Sequence, residues 1–195
     1  MPRQIFVFDP PERLVVGTVG QPGERTFFLQ ARGGGQLTSV VLEKLQVAAL
    51  AERLEQLLDE ILRASGGTAP VPAVAPSELD DLGPLEQPII EEFRVGTLGL
   101  GWDPDAEQVV IQAQAATEGD ASLPDDDASD DEPDFGDDDA DGPALIRVRI
   151  SGAQARAFTK RALAIVAAGR PPCPLCGQPL DDGHICARSN GHHPH

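Results

Sequence analysis

The phrase Val-Gly-Thr occurs twice in this chain, at residues 16–18 and again at residues 95–97, each time inside a largely apolar run. β-Branched runs of this kind are typical of strands. Two longer matches follow in the same order along the chain: residues 27–31 match 109–113, and residues 42–53 match 150–161. Because strand aligns with strand and helix with helix, the pattern predicts an internal duplication of one strand-rich unit.

The first unit has the pattern of an antiparallel meander followed by a helix. Apolar runs bounded by Pro, Gly and polar turn residues predict strands at residues 5–8, 14–19, 25–31 and 37–42. From Glu43 the apolar spacing becomes helical, and one stripe contains Leu50, Leu54, Leu57 and Ile61. We therefore predict an α+β fold of two tandem β-meander-plus-helix repeats with a pseudo-two-fold relation. A coiled-coil seam is the alternative use of the stripe.

The spacing between matched positions changes along the chain and locates an insertion. It is 82 residues at the second match and 108 at the third, so about 26 additional residues lie in the second unit. The predicted domains are a first βββα repeat at 1–65, a Pro/Ala-rich linker at 66–88, a second βββα repeat at 89–170 that contains the insertion 118–141, and a zinc-binding tail at 171–195.

The insertion is strongly acidic. Residues 118–141 hold 13 Asp or Glu and no Lys or Arg, and they supply most of the net charge of -17. Such a segment lacks the apolar surface for a core, so we predict a disordered acidic hairpin insertion. Its Asp runs lack the ligand spacing of an EF-hand calcium loop. The sequence around them offers no apolar pocket that would give two carboxylates different pKa values, as a general acid and a general base require.

The glycines of the two Val-Gly-Thr phrases lie inside strand patterns. A glycine there usually marks a β-bulge or a close backbone approach, and we predict a matching pair of bulges at Gly17 and Gly96. A ligand cradle is the alternative. Neither phrase opens a helix, so neither has the context of a phosphate-binding loop.

Three cysteines and a histidine near the C-terminus have the spacing of a tetrahedral zinc site, a C-terminal zinc knuckle. Cys173 and Cys176 form a Cys-x-x-Cys turn, and His184 and Cys186 follow eight and ten residues after the second cysteine. Four such ligands leave no coordination position open for water, which favours structural over catalytic Zn²⁺. The predicted role is to fold a segment too short for its own core.

Two questions about this tail stay open from the residues alone. His192 or His193 is an alternative to His184 as the fourth ligand. A redox Cys-x-x-Cys is an alternative to zinc, although Pro171-Pro172 disfavours the helix N-terminus that activates such a thiol.

A second candidate site is basic. Residues 143–172 contain no acidic residue, and Arg147, Arg149, Arg156, Lys160 and Arg161 are the candidates for an anion-binding or partner-binding surface. Arg147 and Arg149 alternate with apolar residues, so they share one strand face directed away from the core. Arg156 and Lys160 are four apart on the predicted helix and face the same way. An ordinary solvated face is the favoured interpretation of these cations, and a binding surface is the alternative.

The chain has no feature that predicts a membrane location. The apolar run of residues 5–8 is too short for a signal peptide, and Pro10-Pro11 follows it closely. No apolar stretch approaches the length that crosses a bilayer. All three Cys lie in the chelating tail, which favours a reducing cytosol over a disulfide framework. We expect a cytoplasmic protein with no membrane partner.

Several stretches resemble an uncharacterised actinobacterial family: the Ile-Phe-Val-Phe-Asp-Pro-Pro-Glu-Arg of residues 5–13, the two Val-Gly-Thr strands, and the tail from Cys173 to Gly191. That family is described as a repeat protein, or domain of unknown function, with a C-terminal Cys/His motif. Ala187 and His192 stand where the resemblance implies Pro and an aromatic residue, which leaves the ligands themselves unchanged. The resemblance implies a bacterial cytoplasmic protein and no particular activity.

These observations favour a non-enzymatic binding or adaptor protein with an unknown protein partner. No Gly-x-Ser-x-Gly, Walker, Rossmann or His-Glu-x-x-His pattern occurs, and every His lies in the tail. The first alternative is a nucleic-acid-associated regulator that uses the basic face of residues 147–170 and is autoinhibited by the acidic loop. The second alternative is an enzyme with a site between the two repeats.

Overall fold

The computed structural model of the chain describes residues 3–117, 142–169 and 175. Within these residues lie seven strands, two α-helices and a short 3-10 helix. The strands are β1 (Ile5–Phe8), β2 (Arg13–Val19), β3 (Thr26–Gly33), β4 (Gln36–Leu42), β5 (Glu91–Asp103), β6 (Gln108–Ala115) and β7 (Leu145–Ser151). The helices are α1 (Lys44–Ala64) and α2 (Gly152–Ala167), and the 3-10 helix spans Ser77–Leu79.

The described strands form one sheet in the order β1-β7-β6-β5-β4-β3-β2. β2, β3 and β4 form an antiparallel meander, and β5, β6 and β7 form another. Parallel pairing joins β4 to β5 and β1 to β7. The α+β class and the two meanders are confirmed. The duplication, its pseudo-two-fold relation and the domain boundaries stay predictions.

The sheet is strongly curled. β1 and β2 stand at opposite ends of the strand order, yet only residues 9–12 connect them. The Glu12 N–H donates to the Arg32 carbonyl at 2.8 Å, which attaches the connection between β1 and β2 to β3. α2 follows β7 along the chain but packs mainly against α1 and β2. The curl of the sheet therefore allows α2, which follows the last described strand, to pack against β2, which lies near the N-terminus.

The core lies between one face of the sheet and the two helices. Alternate strand residues point into it, and the fully buried ones include Val16, Leu29, Val40, Ile111 and Val148. α1 adds Leu50, Leu54 and Leu58, each worth about 1.5–3 kcal/mol of burial. Leu57 of the predicted stripe is only partly buried, because the helix turns Leu58 inward instead.

Both helices begin with a glutamine in their first turn. In α2, the Ser151 hydroxyl accepts from the Gln154 N–H at 3.2 Å, and Gln154 Oε1 accepts from the Ser151 N–H at 3.0 Å. In α1, Gln46 Oε1 accepts from the Glu43 N–H at 2.8 Å. These reciprocal contacts satisfy backbone donors that a helix N-terminus leaves unpaired.

The predicted pair of bulges is half right. The pairing of β5 with β6 shifts register between Val95 and Thr97, so Gly96 lies at a bulge as predicted. The pairing of β2 with β3 is continuous from Arg13 to Val19, so a bulge at Gly17 is wrong. Gly17 is instead a close approach, because a Cβ there would lie 2.5 Å from Leu85 Cγ.

Residues 66–88, which we call the crossing segment, connect α1 to β5 and pack on both faces of the sheet. Val71 is buried in the helix-side core, and a Cβ on Gly152 would lie only 2.8 Å from its Cγ2 atom. Leu85 is buried on the other face in a small cluster with Val15, Phe28 and Val41. A semi-extended linker was predicted here, and its ends are held by apolar contacts on opposite sides of the sheet.

Residues 118–141 and the predicted zinc ligands lie outside the described residues. Residues 118–141 lie in sequence between β6 and β7, which are antiparallel neighbours, and the acidic hairpin insertion stays a prediction. Among the described helices, none is long and apolar enough to cross a membrane.

Candidate functional site

Three arginines from separate elements converge beside β2. Arg13 begins β2, and Arg32 lies directly opposite it on β3. Arg161 extends from α2 and donates from Nε to the Val16 carbonyl of β2 at 2.7 Å, across 145 positions of sequence. The register of the meander and the packing of α2 therefore place three cations at the same end of the crossing segment.

Asp81 of the crossing segment is the central acceptor of this cluster. Arg13 donates to its carboxylate twice, from Nε at 2.6 Å and from Nη2 at 2.9 Å. Arg161 Nη1 donates to the same carboxylate at 3.2 Å and to the Asp81 carbonyl. The hydrogen bond from Arg13 lowers the pKa of Asp81 and raises the pKa of Arg13, so both groups hold their charges.

Arg161 is the most enclosed cation of the cluster, with a side chain that is 11% exposed. Burial lowers its pKa, opposed by the charge of Asp81 and reinforced by that of Arg13. An arginine stays protonated under such conditions, so its N–H groups all need acceptors. The crossing segment supplies the Gly83 carbonyl to Nη2 at 2.8 Å in addition to its contacts at Asp81.

Glu86 is the second acidic anchor of the crossing segment. Its carboxylate lies 3.3 Å from Arg13 Nη1 and 3.3 Å from Arg32 Nη1. Its backbone is bound by Gln30, a β3 residue that is only 1% exposed. Gln30 Oε1 accepts from the Glu86 N–H at 2.7 Å, and Gln30 Nε2 donates to the Glu86 carbonyl at 3.1 Å. A buried amide thus pairs with the segment as a neighbouring strand would.

Leu85 fits into a slot that only glycine allows. A Cβ on Gly17 would meet Leu85 Cγ at 2.5 Å and Cδ2 at 2.6 Å, well inside van der Waals contact. Val15, Phe28 and Val41 surround the Leu85 side chain, which is 7% exposed. The neighbouring Leu82 is 92% exposed, so the segment places only one of its two leucines in the slot.

A cleft of about 130 Å³ lies beside the arginines, between the β1–β2 connection and α2. Its walls include Glu12, Arg13, Asp81, Gln154 and Arg161. Small-molecule sites usually enclose about 300–1,000 Å³. Because this cleft is smaller, and three of its charged groups are bound to one another, it is a poor fit to a substrate pocket.

Arg147 and Arg149 lie on β7, where they alternate with buried core residues as predicted. Arg149 Nη1 donates to Asp103 Oδ2 at 2.6 Å, and its Nε lies 3.9 Å from Asp9 Oδ2. The Ala106 N–H, followed by Arg149, lowers the pKa of Asp103. The Gln112 amide, turned with its oxygen toward Arg147, accepts from Arg147 Nε at 2.8 Å. Both arginines are engaged within the sheet face.

The cations predicted on the second helix form ion pairs with residues of the crossing segment or of α1. Arg156 is 6% exposed, binds the Asp59 carboxylate of α1, and donates to the Pro72 carbonyl at 3.1 Å. Lys160 Nζ lies 2.6 Å from Asp80 Oδ2. Of the five predicted cations, Arg147 and Arg149 lie on β7 and the other three lie on α2. Their role as an anion-binding or partner-binding surface stays a prediction.

A family model described as "Protein of unknown function (DUF3090)" matches residues 6–186. The chain belongs to this family. The expected assignment to a domain of unknown function is confirmed, whereas the actinobacterial origin, the internal repeat and the zinc motif stay predictions. Comparisons with curated proteins and with solved structures give no match.

The predicted metal ligands of this DUF3090 chain, Cys173, Cys176, His184 and Cys186, fall outside the described residues. The alternative ligands His192 and His193 lie outside them as well. In the described part of the chain, no three His, Cys, Asp or Glu side chains are grouped as a metal site. The zinc prediction stays a prediction.

Most of the site around Asp81 has no signal in the local sequence. The composition of residues 66–88 predicted only a Pro/Ala-rich linker, and the residues that bind this segment are distant in sequence. Arg13 and Asp81 are 68 positions apart, and Gln30 and Glu86 are 56 apart. The one available signal was Gly17, a glycine in an apolar strand, which indicated that something approaches the β2 backbone closely.

Proposed function

We propose that this protein is a non-enzymatic binding or adaptor protein that acts on a protein partner. One observation supports this above others. Arg13, Asp81, Asp103 and Arg161 each lie in an ion pair, and the pairs of Asp81 with Arg13 and Arg161 join the crossing segment to β2 and α2. Such groups hold parts of the fold together and present charge.

The lowered pKa of Asp81 and the raised pKa of Arg13 argue against either group as a general acid or base. A general acid or base works best when its pKa lies near the working pH. The pKa of Asp81 is lowered instead, and the pKa of Arg13 is raised. A carboxylate already bound by two guanidinium groups is a weak base, which disfavours Asp81 as the general base of an enzyme.

The tail belongs to this proposal as a structural zinc site. Cys173, Cys176, His184 and Cys186 form a Cys3His donor set that suits tetrahedral Zn²⁺ and would hold it without an open position. We expect about one equivalent of Zn²⁺ per chain. Elemental analysis of carefully purified protein tests this, and less than about half an equivalent would contradict it.

The nucleic-acid alternative keeps a clear test. Arg149, Arg156, Lys160 and Arg161 each already lie beside a carboxylate of the chain, which reduces support for it. If the acidic segment competes with polyanions for this face, deleting residues 118–141 raises affinity for DNA or RNA most strongly at low salt. Unchanged affinity at about 50 mM salt would rule out this competition.

Internal duplication and a cytoplasmic location complete the proposal. Two βββ-α successions and the matching Gln46 and Gln154 at the helix starts, 108 positions apart, support descent from one unit with a pseudo-two-fold relation. The chelating arrangement of all three Cys supports a reducing compartment.

The binding function is tested by affinity purification from a lysate of the source organism. The full chain and a version ending at residue 170 serve as paired baits. We expect a protein partner at near-stoichiometric yield on the full chain, with a lower yield when the tail is absent. Recovery of no partner above background on either bait would contradict the proposal.

A further inference from the structure

The body of the protein holds residues 81–86 in the way that peptide-binding domains hold linear segments. Side chains of the body bind the carbonyls of Asp81, Gly83, Pro84 and Glu86, and also the Glu86 N–H. The donors and acceptors come from Arg161, Arg13 and Gln30. Backbone contacts of this kind provide affinity for a main chain regardless of its side chains.

Three side chains of the same segment are recognised individually. Asp81 receives two hydrogen bonds from Arg13 and one from Arg161. Leu85 occupies the slot over Gly17, and the Glu86 carboxylate lies between Arg13 and Arg32. A segment that only connects α1 to β5 has to be long enough to span the distance, and it does not need pockets for particular side chains. Specific pockets at spaced side chains are instead what distinguishes one peptide from another.

We propose that this surface is a peptide-binding groove, occupied within the chain by residues 81–86. It is formed by Arg13, Gly17, Gln30, Arg32 and Arg161. The inference rests on the proposed binding function and names the partner class: a protein with an extended segment Asp-x-x-x-Leu-Glu. Charge complementarity supports this occupant, because the three arginines face two carboxylates of the bound segment.

The resident segment is then an internal competitor. A short tether gives an effective concentration in the millimolar range, so a partner segment binds well only when the resident one is weakened or outcompeted. The contacts that hold the resident segment are charged at one end and apolar at the other. Substituting Asp81 and Leu85 therefore weakens it and leaves every groove residue unchanged.

The test uses the full chain carrying Asp81→Ala and Leu85→Ala, and a fluorescent synthetic peptide of residues 77–90. Fluorescence anisotropy measures binding to this variant and to the unaltered chain. We expect the variant to bind the peptide about tenfold or more tightly than the unaltered chain, a difference of about 1.4 kcal/mol. A matched peptide with the same two substitutions should bind the variant at least about tenfold more weakly.

A third substitution serves as the control for the slot. Gly17→Ala is added to the double variant, where the Leu85 atoms that a Cβ would meet are already absent. The triple variant should keep the circular dichroism and cooperative melting of the double variant. Its slot no longer accepts the peptide leucine, so the peptide affinity should fall by about tenfold.

Hydrogen exchange on the unaltered chain covers the case in which the variants do not fold. Several millimolar peptide, comparable with the effective concentration of the tether, should speed amide exchange at the resident residues 81–86. The matched peptide should not. Equal binding of both peptides by a folded variant, or no change in exchange with unfolded variants, overturns the inference. If a partner is still recovered by affinity purification, the binding function stands and its surface lies elsewhere.

Discussion

The two Val-Gly-Thr phrases share three residues and use their glycines differently. Gly17 lies in a regular strand, and its missing side chain makes space for Leu85. Gly96 lies at a bulge, where Gln46 Nε2 donates to the Val95 carbonyl at 3.1 Å and to the Gly96 carbonyl at 3.2 Å. The same local sequence thus serves a side-chain contact in one meander and a backbone irregularity in the other.

The difference follows from what covers each strand. β2 is an edge strand, and its outer face is met by the crossing segment. β5 lies inside the sheet between β4 and β6, and its pairing with each of these neighbours contains a register shift. A glycine in a strand pattern therefore indicates a close approach or a bulge, and the neighbouring elements decide between the two.

The largest effect is expected from Gly17→Ala. Its Cβ would lie 2.5 Å from Leu85 Cγ, so the crossing segment must shift or the strand must distort. We expect a loss of about 2–3 kcal/mol in unfolding free energy, measured by urea denaturation. Gly96→Ala is the matched control and should lose less than about 1 kcal/mol.

Leu85→Ala should largely remove the cost of Gly17→Ala, because the clashing atoms are gone. A double-mutant cycle measures this coupling, which we expect to exceed about 1 kcal/mol. Additive losses, or equal losses at Gly17 and Gly96, would show that the two glycines do not differ as described.

Asp81→Asn should have the next largest effect, a loss of about 1–2 kcal/mol in unfolding free energy at neutral pH. The substitution removes the charged acceptor of Arg13 and Arg161 and leaves their guanidinium groups less well paired. The variant tests whether the packing of the crossing segment against the first meander depends on the ion pairs of Asp81. Unfolding of both proteins is compared in urea across pH.

The sign of the pH dependence follows from the lowered pKa of Asp81 in the folded state. Its stabilisation is complete above the unfolded-state pKa of about 3.9 and is lost as pH falls through the folded-state pKa. The difference between the two proteins should therefore stay constant from about pH 5 to 7 and shrink below about pH 4. A difference that persists unchanged at about pH 2 would contradict the assignment.

Gln46→Ala should cost about 1–1.5 kcal/mol, more than Gln154→Ala at about 0.5–1 kcal/mol. Both glutamines accept a backbone N–H at the start of a helix, but only Gln46 also binds the bulge carbonyls of β5. Thermal denaturation of the two variants measures the difference. Equal losses would mean that the bulge does not need Gln46.

Arg94→Ala should have the smallest effect, below about 0.5 kcal/mol. Arg94 Nη1 lies 2.7 Å from Glu43 Oε1, and their side chains are 55% and 66% exposed. Solvent screens such a pair, although it joins the start of α1 to β5. A loss above about 1 kcal/mol in urea denaturation would give this contact a larger part in joining the meanders.

Local sequence patterns predicted the elements well. The helical period that starts after Glu43 matches α1 (Lys44–Ala64), and the alternation of Arg147 and Arg149 with apolar residues matches β7. The predicted strands at residues 5–8, 14–19, 25–31 and 37–42 match β1 to β4. Each of these signals lies within one element or in the order of elements, where side-chain period and turn residues are informative.

The candidate site could not be predicted in the same way. The charge pattern offered five cations as a candidate binding surface, but it did not predict that Arg156, Lys160 and Arg161 of α2 each bind an acidic residue on α1 or the crossing segment. Their partners lie 80 to 97 positions away. A charge pattern shows which side of a helix is cationic, but it carries no information about which segment will cover that side.

The sequence by itself determined two β-meanders, each followed by a helix. It also indicated that Gly17 and Gly96, two glycines inside strands, mark either a bulge or a close backbone approach. These depend on interactions between residues close in sequence, which period and turn chemistry report. Only the tertiary structure decided that β4 and β5 join in parallel, that Leu85 fills the space over Gly17, and that Asp81 binds two arginines. Those contacts depend on how the curled sheet and α2 pack, and packing is a property of the whole chain.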